Sequence, residues 1–229
     1  SSVLAERCDA AGIPVVLFNR AEQQDRFSTV TSDNFAGGRA LADFLVAGGH
    51  RRIAYIAGWE GASTQRDREA GFRAGLAAHG CELFARGVGD FLTEQAAKAA
   101  REMFAGDDIP DAVFVANDHM AFAVLEVLRG ELGLGVPEDV SVVGYDDVQL
   151  AGWPSFDLTT IRQPSNAMVM ETVSALLAQI EEGASRPQRV KINGPLVVRG
   201  SARRPYGWKE DDDEWVLSEM EGFPGLYSG

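Results

Sequence analysis

Short, unbroken apolar runs alternate along the chain with longer stretches whose apolar residues return every three or four positions. Ile13–Phe18 (IPVVLF), Arg52–Ala57 (RIAYIA), Ala112–Ala116 (AVFVA) and Val140–Tyr145 (VSVVGY) read as strands; Glu82–Arg86 is a weaker one, and Leu158–Arg162 and Arg189–Arg199 are extended. Between them the spacing predicts helices over Asn34–Ala47, Gln65–His79, Thr93–Phe104, His119 to about Leu132, and Asn166–Glu182. Asp33, Thr93 and Asp118 stand where N-caps belong, and Gly48-Gly49 and Gly80 where helices stop. Strands that are apolar throughout are buried on both faces, so the pattern predicts an α/β protein with a doubly wound parallel sheet. Ligands of such sheets lie beyond the carboxyl ends of the strands. That directs attention to Asn19, to Gly58 through Arg68, to Asn117-Asp118 and to Asp146-Asp147.

Each of these carries more than one reading. Asp118 suits a helix cap, whereas Asn117, with a donor and an acceptor on one short side chain, fits either turn chemistry or a hydroxyl-bearing ligand. Asp146 and Asp147 are adjacent and do not face the same way; one can enter a cleft while the other secures the turn. Arg66 and Arg68 sit at a helix N-terminus, where a cation gains nothing from the dipole, which argues for a functional reason. Phe91 reads as core or as a ring stacked on a ligand, and Trp153 as packing at a crossover. His50 and His79 lie at helix ends, where the macrodipole favours them.

Composition narrows the function classes. The 229 residues are 45% hydrophobic, enough to bury a core, and carry a net charge of −13. Lys209 against Glu210, Asp211, Asp212, Asp213, Glu214, Glu219 and Glu221 places −6 of that in residues 206–229. An acidic body does not suit phosphate contacts, so these residues alone are not expected to hold DNA. The two cysteines, Cys8 and Cys81, form no CxxC and read as reduced structural thiols of a cytosolic protein. No apolar run reaches membrane-spanning length, and the opening residues do not read as a signal peptide. Phosphate-loop, dinucleotide, zinc-protease and hydrolase-elbow motifs are missing, so neither an enzyme nor a cofactor or metal is expected.

The motifs gain force from their order. GIPVVLFNR (Gly12–Arg20), SDNFAGGRALADFLVAGGHRRIAYIAG (Ser32–Gly58), RDREAGFRAGL (Arg66–Leu76), VFVANDHMAFAVLEVL (Val113–Leu128), GVPEDVSVVGYDD (Gly135–Asp147), LTTIRQP (Leu158–Pro164) and LVVRGS (Leu196–Ser201) follow one another. Together they resemble the effector-binding domain of the lactose-repressor/galactose-repressor family of bacterial regulators, from about Val3 to Pro205. The resemblance implies a two-lobed periplasmic-binding-protein type I fold with a sugar or related metabolite between the lobes. Residues 1–31 and 161–190 would be part of the N-terminal lobe, 32–160 the C-terminal lobe, and 191–205 a closing segment that crosses between them. Residues 206–229 form an acidic tail outside the family pattern, either disordered or docked. The first strands of the N-terminal lobe and the helix-turn-helix that reads operator DNA would lie upstream of the residues given.

Carried over position by position, the family's pocket falls on Asn19, Thr64, Arg68, Phe91, Asn117, Asp146 and Gln163. Asn19 and Gln163 would come from the N-terminal lobe and Phe91 would stack. Polar groups that donate and accept around an aromatic face match a polyol, and a nucleobase could use the same set. The resemblance implies a cytoplasmic homodimer that acts by binding and not by turnover. The alternative is a solute-binding protein that serves a sugar transporter.

Overall fold

The computed structural model describes residues 2–21, 26–182, 186–208 and 214–215. In chain order the elements are α1 (Ser2–Ala10), β1 (Val16–Phe18), β2 (Ser28–Ser32), α2 (Asn34–Ala47), β3 (Ile53–Ala57), α3 (Ser63–Ala78), β4 (Ala85–Val88), α4 (Thr93–Met103), β5 (Ala112–Val115) and α5 (Asp118–Glu126). They continue with β6 (Ser141–Asp146), β7 (Thr159–Arg162), α6 (Ser165–Glu182), β8 (Arg189–Ile192), β9 (Leu196–Val197) and β10 (Glu214–Trp215). The last turns of α5 widen into a π-helix over Val127–Glu131.

The chain forms two compact units. The larger holds Asn34–Gln163 and Gly194–Gly229. Its sheet runs in the order β10-β9-β7-β6-β5-β3-β4, parallel from β4 to β7, with β9 and β10 antiparallel. The order reverses between β3 and β5. Right-handed crossovers therefore put α3 on one face and α4 and α5 on the other. Helices α2 and α3 pack together and so do α4 and α5. The first pair meets backbone to backbone: a Cβ on Gly38 would strike the Arg68 carbonyl, and one on Gly71 the Phe35 carbonyl. Under the helices, β3, β5 and β6 are buried along their apolar lengths, and Tyr55, Phe72 and Phe114 form an aromatic cluster with ring centroids 5.0 to 5.8 Å apart. The core extends past Pro205, where Trp208 packs its ring edge-on against Phe44 at 5.7 Å.

The smaller unit holds Ser1–Asp33 and Pro164–Asn193. Its sheet is β1-β2-β8, all parallel, with α6 packed on it. The central strand, β2, is not evident in the hydrophobic pattern. It reads STVTS, yet all five residues are buried. Its hydroxyls make this tolerable: Ser28 Oγ accepts from the Gln188 N–H at 3.1 Å and from Gln179 Nε2 at 3.0 Å. The extended run expected over Arg189–Arg199 is two strands, with β8 in the smaller sheet and β9 in the larger. The chain breaks between them at Asn193-Gly194-Pro195.

Several local expectations are corrected. The N-cap of α4 is Leu92, without a side-chain bond, and Thr93 is already helical. Asn117 rather than Asp118 caps α5, accepting from the Met120 N–H at 3.0 Å. His50 is fully buried, and burial with the nearby Arg203 charge lowers its pKa to about 4, so it is neutral and gains nothing from a helix dipole. Trp153 is 53% exposed; its neighbour Phe156 does the packing, against Phe122 at 4.2 Å. Of the acidic tail, Glu214–Trp215 forms β10 against β9, whereas 209–213 and 216–229 lie outside the described residues. Among the described residues no helix is long and apolar enough to cross a membrane.

Candidate functional site

The carboxyl ends of β5, β6 and β7 carry a connected set of charges in the larger unit. Its centre is Arg68, which is 3% exposed although it stands in the second turn of α3. A buried guanidinium needs every N–H directed at an acceptor. Nε donates to Asn34 Oδ1 at 2.7 Å, Nη1 to the Ala116 carbonyl at the end of β5, and Nη2 lies 3.5 Å from Asp146 Oδ1. The guanidinium lies over the Tyr145 ring, 3.7 Å from its centroid. Tyr145 is itself covered by α2: a Cβ on Gly37 would meet its hydroxyl. The helix start is secured by Gln65, whose Oε1 accepts from Tyr55 Oη and from the Gly58 N–H, both at 2.9 Å.

Asp146 and Asp147 divide the work by partner. Asp146 Oδ1 accepts from Gln163 Nε2 at 2.6 Å and faces Arg68. Burial holds the Asp146 carboxyl above its ordinary range against the opposing pull of Arg68 and Gln163. Asp147 accepts from Arg162 Nε at 2.6 Å and from Arg199 Nη2 at 2.7 Å, joining β7 to the segment after β9. Both acids have positive φ, 128° and 54°, a costly backbone for non-glycine residues that these fixed partners maintain. Behind them Asp118 is fully buried. It accepts from Thr160 Oγ1 at 2.7 Å and the Val148 N–H at 2.9 Å. Burial pushes its pKa up to about 7 against those two hydrogen bonds, and the charges of Asp146 and Asp147 add to the rise.

The seven residues expected from sequence fall out as follows. Arg68, Asp146 and Gln163 are joined directly. Asn117 and Thr64 stand at the starts of α5 and α3, partly exposed. The Asn117 oxygen is used as a cap, and its Nδ2 donates to none of the described residues. Phe91, with φ 61°, lays its ring against Gly58, where a Cβ would clash. Gln163 stands at the boundary of the larger unit, where its backbone N–H donates to the Asp146 carbonyl at 3.2 Å and its Nε2 to Asp146 Oδ1. Asn19 ends β1 in the smaller unit with φ 52°, and its buried Oδ1 has no partner among the described residues. Sequence reasoning missed Asn34, Tyr145, Asp118 as a buried acid, and the Arg162–Asp147–Arg199 cluster. A signal for the last was present, since the two arginines stand in the LTTIRQP and LVVRGS motifs.

Chemically, the open part of this site offers the Asp146 carboxylate, held in place by Gln163 and the buried Arg68, with the Asn117 amide and the Thr64 hydroxyl at the neighbouring helix starts. No group of His, Cys, Asp and Glu among the described residues is arranged to hold a metal.

Residues 42–202 match the periplasmic binding protein-like domain family. The HTH-type transcriptional regulator CelR of Thermobifida fusca is 38% identical over 202 residues, covering 86% of this chain and 59% of its own length. Among solved structures, a CelR–cellobiose complex superposes with a TM-score of 0.80 at 37% identity, covering 87% of this chain and 62% of that one. A LacI transcriptional regulator from a Rhodococcus species gives a TM-score of 0.79 at 33% identity, covering 88% and 74%. The chain spans about six-tenths of the length of the curated relatives it matches. With its doubly wound sheet, its capped β5–α5 junction and its Arg68–Asp146 pair, the chain belongs to the periplasmic-binding-protein-like domain family, in the branch of lactose-repressor-type transcription regulators.

Proposed function

We propose that this chain is the effector-sensing part of a bacterial transcription regulator, and that a sugar or related polyol binds at the carboxyl ends of β3, β5, β6 and β7. One observation carries the reading: Arg68 is buried, locked by Asn34, the Ala116 carbonyl and Tyr145, and paired with an Asp146 that stays 23% exposed on its side chain. A carboxylate oriented in this way and partly open to solvent can take two adjacent sugar hydroxyls as donors, while Asn117 Nδ2 and Thr64 meet others. Phe91 offers its ring to the sugar's C–H face. The neighbouring CelR structure, described in complex with cellobiose, supports a saccharide as the effector class.

In this reading the intact protein is a cytoplasmic homodimer whose helix-turn-helix lies in another part of the polypeptide. The effector controls operator affinity to the extent that it binds one conformation better than the other. The chain acts by binding, without turnover. Calorimetry against a panel of mono- and disaccharides and nucleosides tests the site. Asp146→Ala is expected to weaken binding by roughly tenfold to a hundredfold, the loss of a hydrogen bond to a charged group, and Arg68→Ala to weaken it by releasing Asp146 from its fixed position. Undiminished binding in both variants would overturn the assignment.

A further inference from the structure

Strand β3 ends at Ala57, and the chain turns outward through Gly58-Trp59-Glu60-Gly61 before α3 begins at Ser63. Trp59 is 53% exposed, a large apolar surface to leave in water. The loop that carries it is braced. Arg66 Nη1 donates to the carbonyls of Glu60 at 3.1 Å and Gly61 at 3.0 Å, and the Ala62 N–H donates to the Trp59 carbonyl at 3.0 Å. Arg86 Nη2 donates to Glu60 Oε1 at 2.7 Å, and Arg86 is in turn held by Glu69. The indole rests over Gly61, where a Cβ would collide with its six-membered ring. One side of the ring is thus seated on the loop while more than half of the residue stays open to solvent.

Position gives this ring a use. Gly58, the residue before it, lies against the Phe91 ring, and the residue after Phe91, Leu92, is 58% exposed. Trp59 follows β3 and Phe91-Leu92 follow β4, its neighbour at the edge of the larger sheet, so the exposed indole stands at the carboxyl ends of these two strands, one residue from the Gly58–Phe91 contact. A fixed, exposed indole at the rim of a polyol site matches the C–H face of a sugar ring. We propose that Trp59 is a second stacking platform that takes a further ring of an effector longer than a monosaccharide. The proposal rests on the effector site described above and specifies its length.

The test is calorimetry of glucose, cellobiose and cellotriose on the full chain and on Trp59→Ala and Trp59→Phe, with thermal unfolding to establish that the variants fold. In the wild type, cellobiose or cellotriose is expected to bind more tightly than glucose. Trp59→Ala is expected to weaken the longer sugars roughly tenfold, the worth of a stacked aromatic face, and to leave glucose unchanged, while Trp59→Phe keeps most of the affinity. Cellobiose and cellotriose affinities unchanged in Trp59→Ala, an equal loss for glucose, or no binding of the three sugars to the wild type would each overturn the platform. Asp146→Ala measured in parallel separates the two readings, because cellobiose binding undiminished there counts against the effector site and not against Trp59.

Discussion

Strands β2 and β3 make an instructive pair. Both are five residues long, both lie in the interior of a parallel sheet, and both are buried at every position. One reads STVTS and the other IAYIA. In β3 burial is driven by apolar area and needs only close packing. In β2 it includes a hydroxyl that needs partners, that of Ser28, which Gln179 and the Gln188 N–H supply from distant parts of the chain. The same burial therefore rests on two physical bases, one local in the sequence and one not.

The difference can be tested by substitution. Ile53→Ala in β3 is expected to cost about 3 kcal/mol, the transfer and cavity cost of a filled core, read by urea denaturation; a loss below about 1 kcal/mol would mean that β3 is not packed as described. Asp118→Asn tests a buried polar contact inside the apolar sheet. Because the folded pKa is raised to about 7 from 3.8, the fold holds its proton more tightly than the unfolded chain does. Asp118 therefore costs no stability below pH 4, an increasing amount up to pH 7 and its full amount above. The wild type is expected to lose about 5 °C of thermal midpoint between pH 5 and pH 8 through this group, and Asp118→Asn to flatten that fall. Ser28→Ala in β2 strands two donors and is expected to cost about 1 kcal/mol. Thr29→Val, in the same strand, removes a hydroxyl without stranding a described partner and is expected to change stability by less than about 0.5 kcal/mol. If Thr29→Val cost as much as Ser28→Ala, the hydroxyl partners would not be what sustains β2.

The same division explains what the sequence made legible. The apolar runs at Arg52–Ala57, Ala112–Ala116 and Val140–Tyr145 announce their strands because their driving force is in their own side chains. β2 stays hidden because the residues that satisfy it are far away in sequence. At the site, Arg68 stands out as a cation at the wrong end of a helix, and its burial supplies the reason. The choice between Asn117 and Asp118 as cap was not legible, since two adjacent acceptors differ only in what lies behind them. What lies behind Asp118 is Thr160, on a strand two positions away in the sheet. The roles of Asp146 and Asp147 were likewise set by Gln163, Arg162 and Arg199, which become neighbours only after β7 and β9 pair.

The break between β8 and β9 also sets a timetable. β2 waits for its neighbour across 160 residues of chain, as the Ser28–Gln188 bond shows. The strands β3 to β7, in contrast, follow one another and close their sheet from nearby segments. A chain emerging from the ribosome can assemble β3–β7 while β2, already synthesised, still lacks β8. The short stretch Arg189–Val197 then delivers a strand to each sheet in turn. Until it arrives, β2 has only β1 beside it, and its free edge is the kind of unpaired strand that can template unwanted pairing.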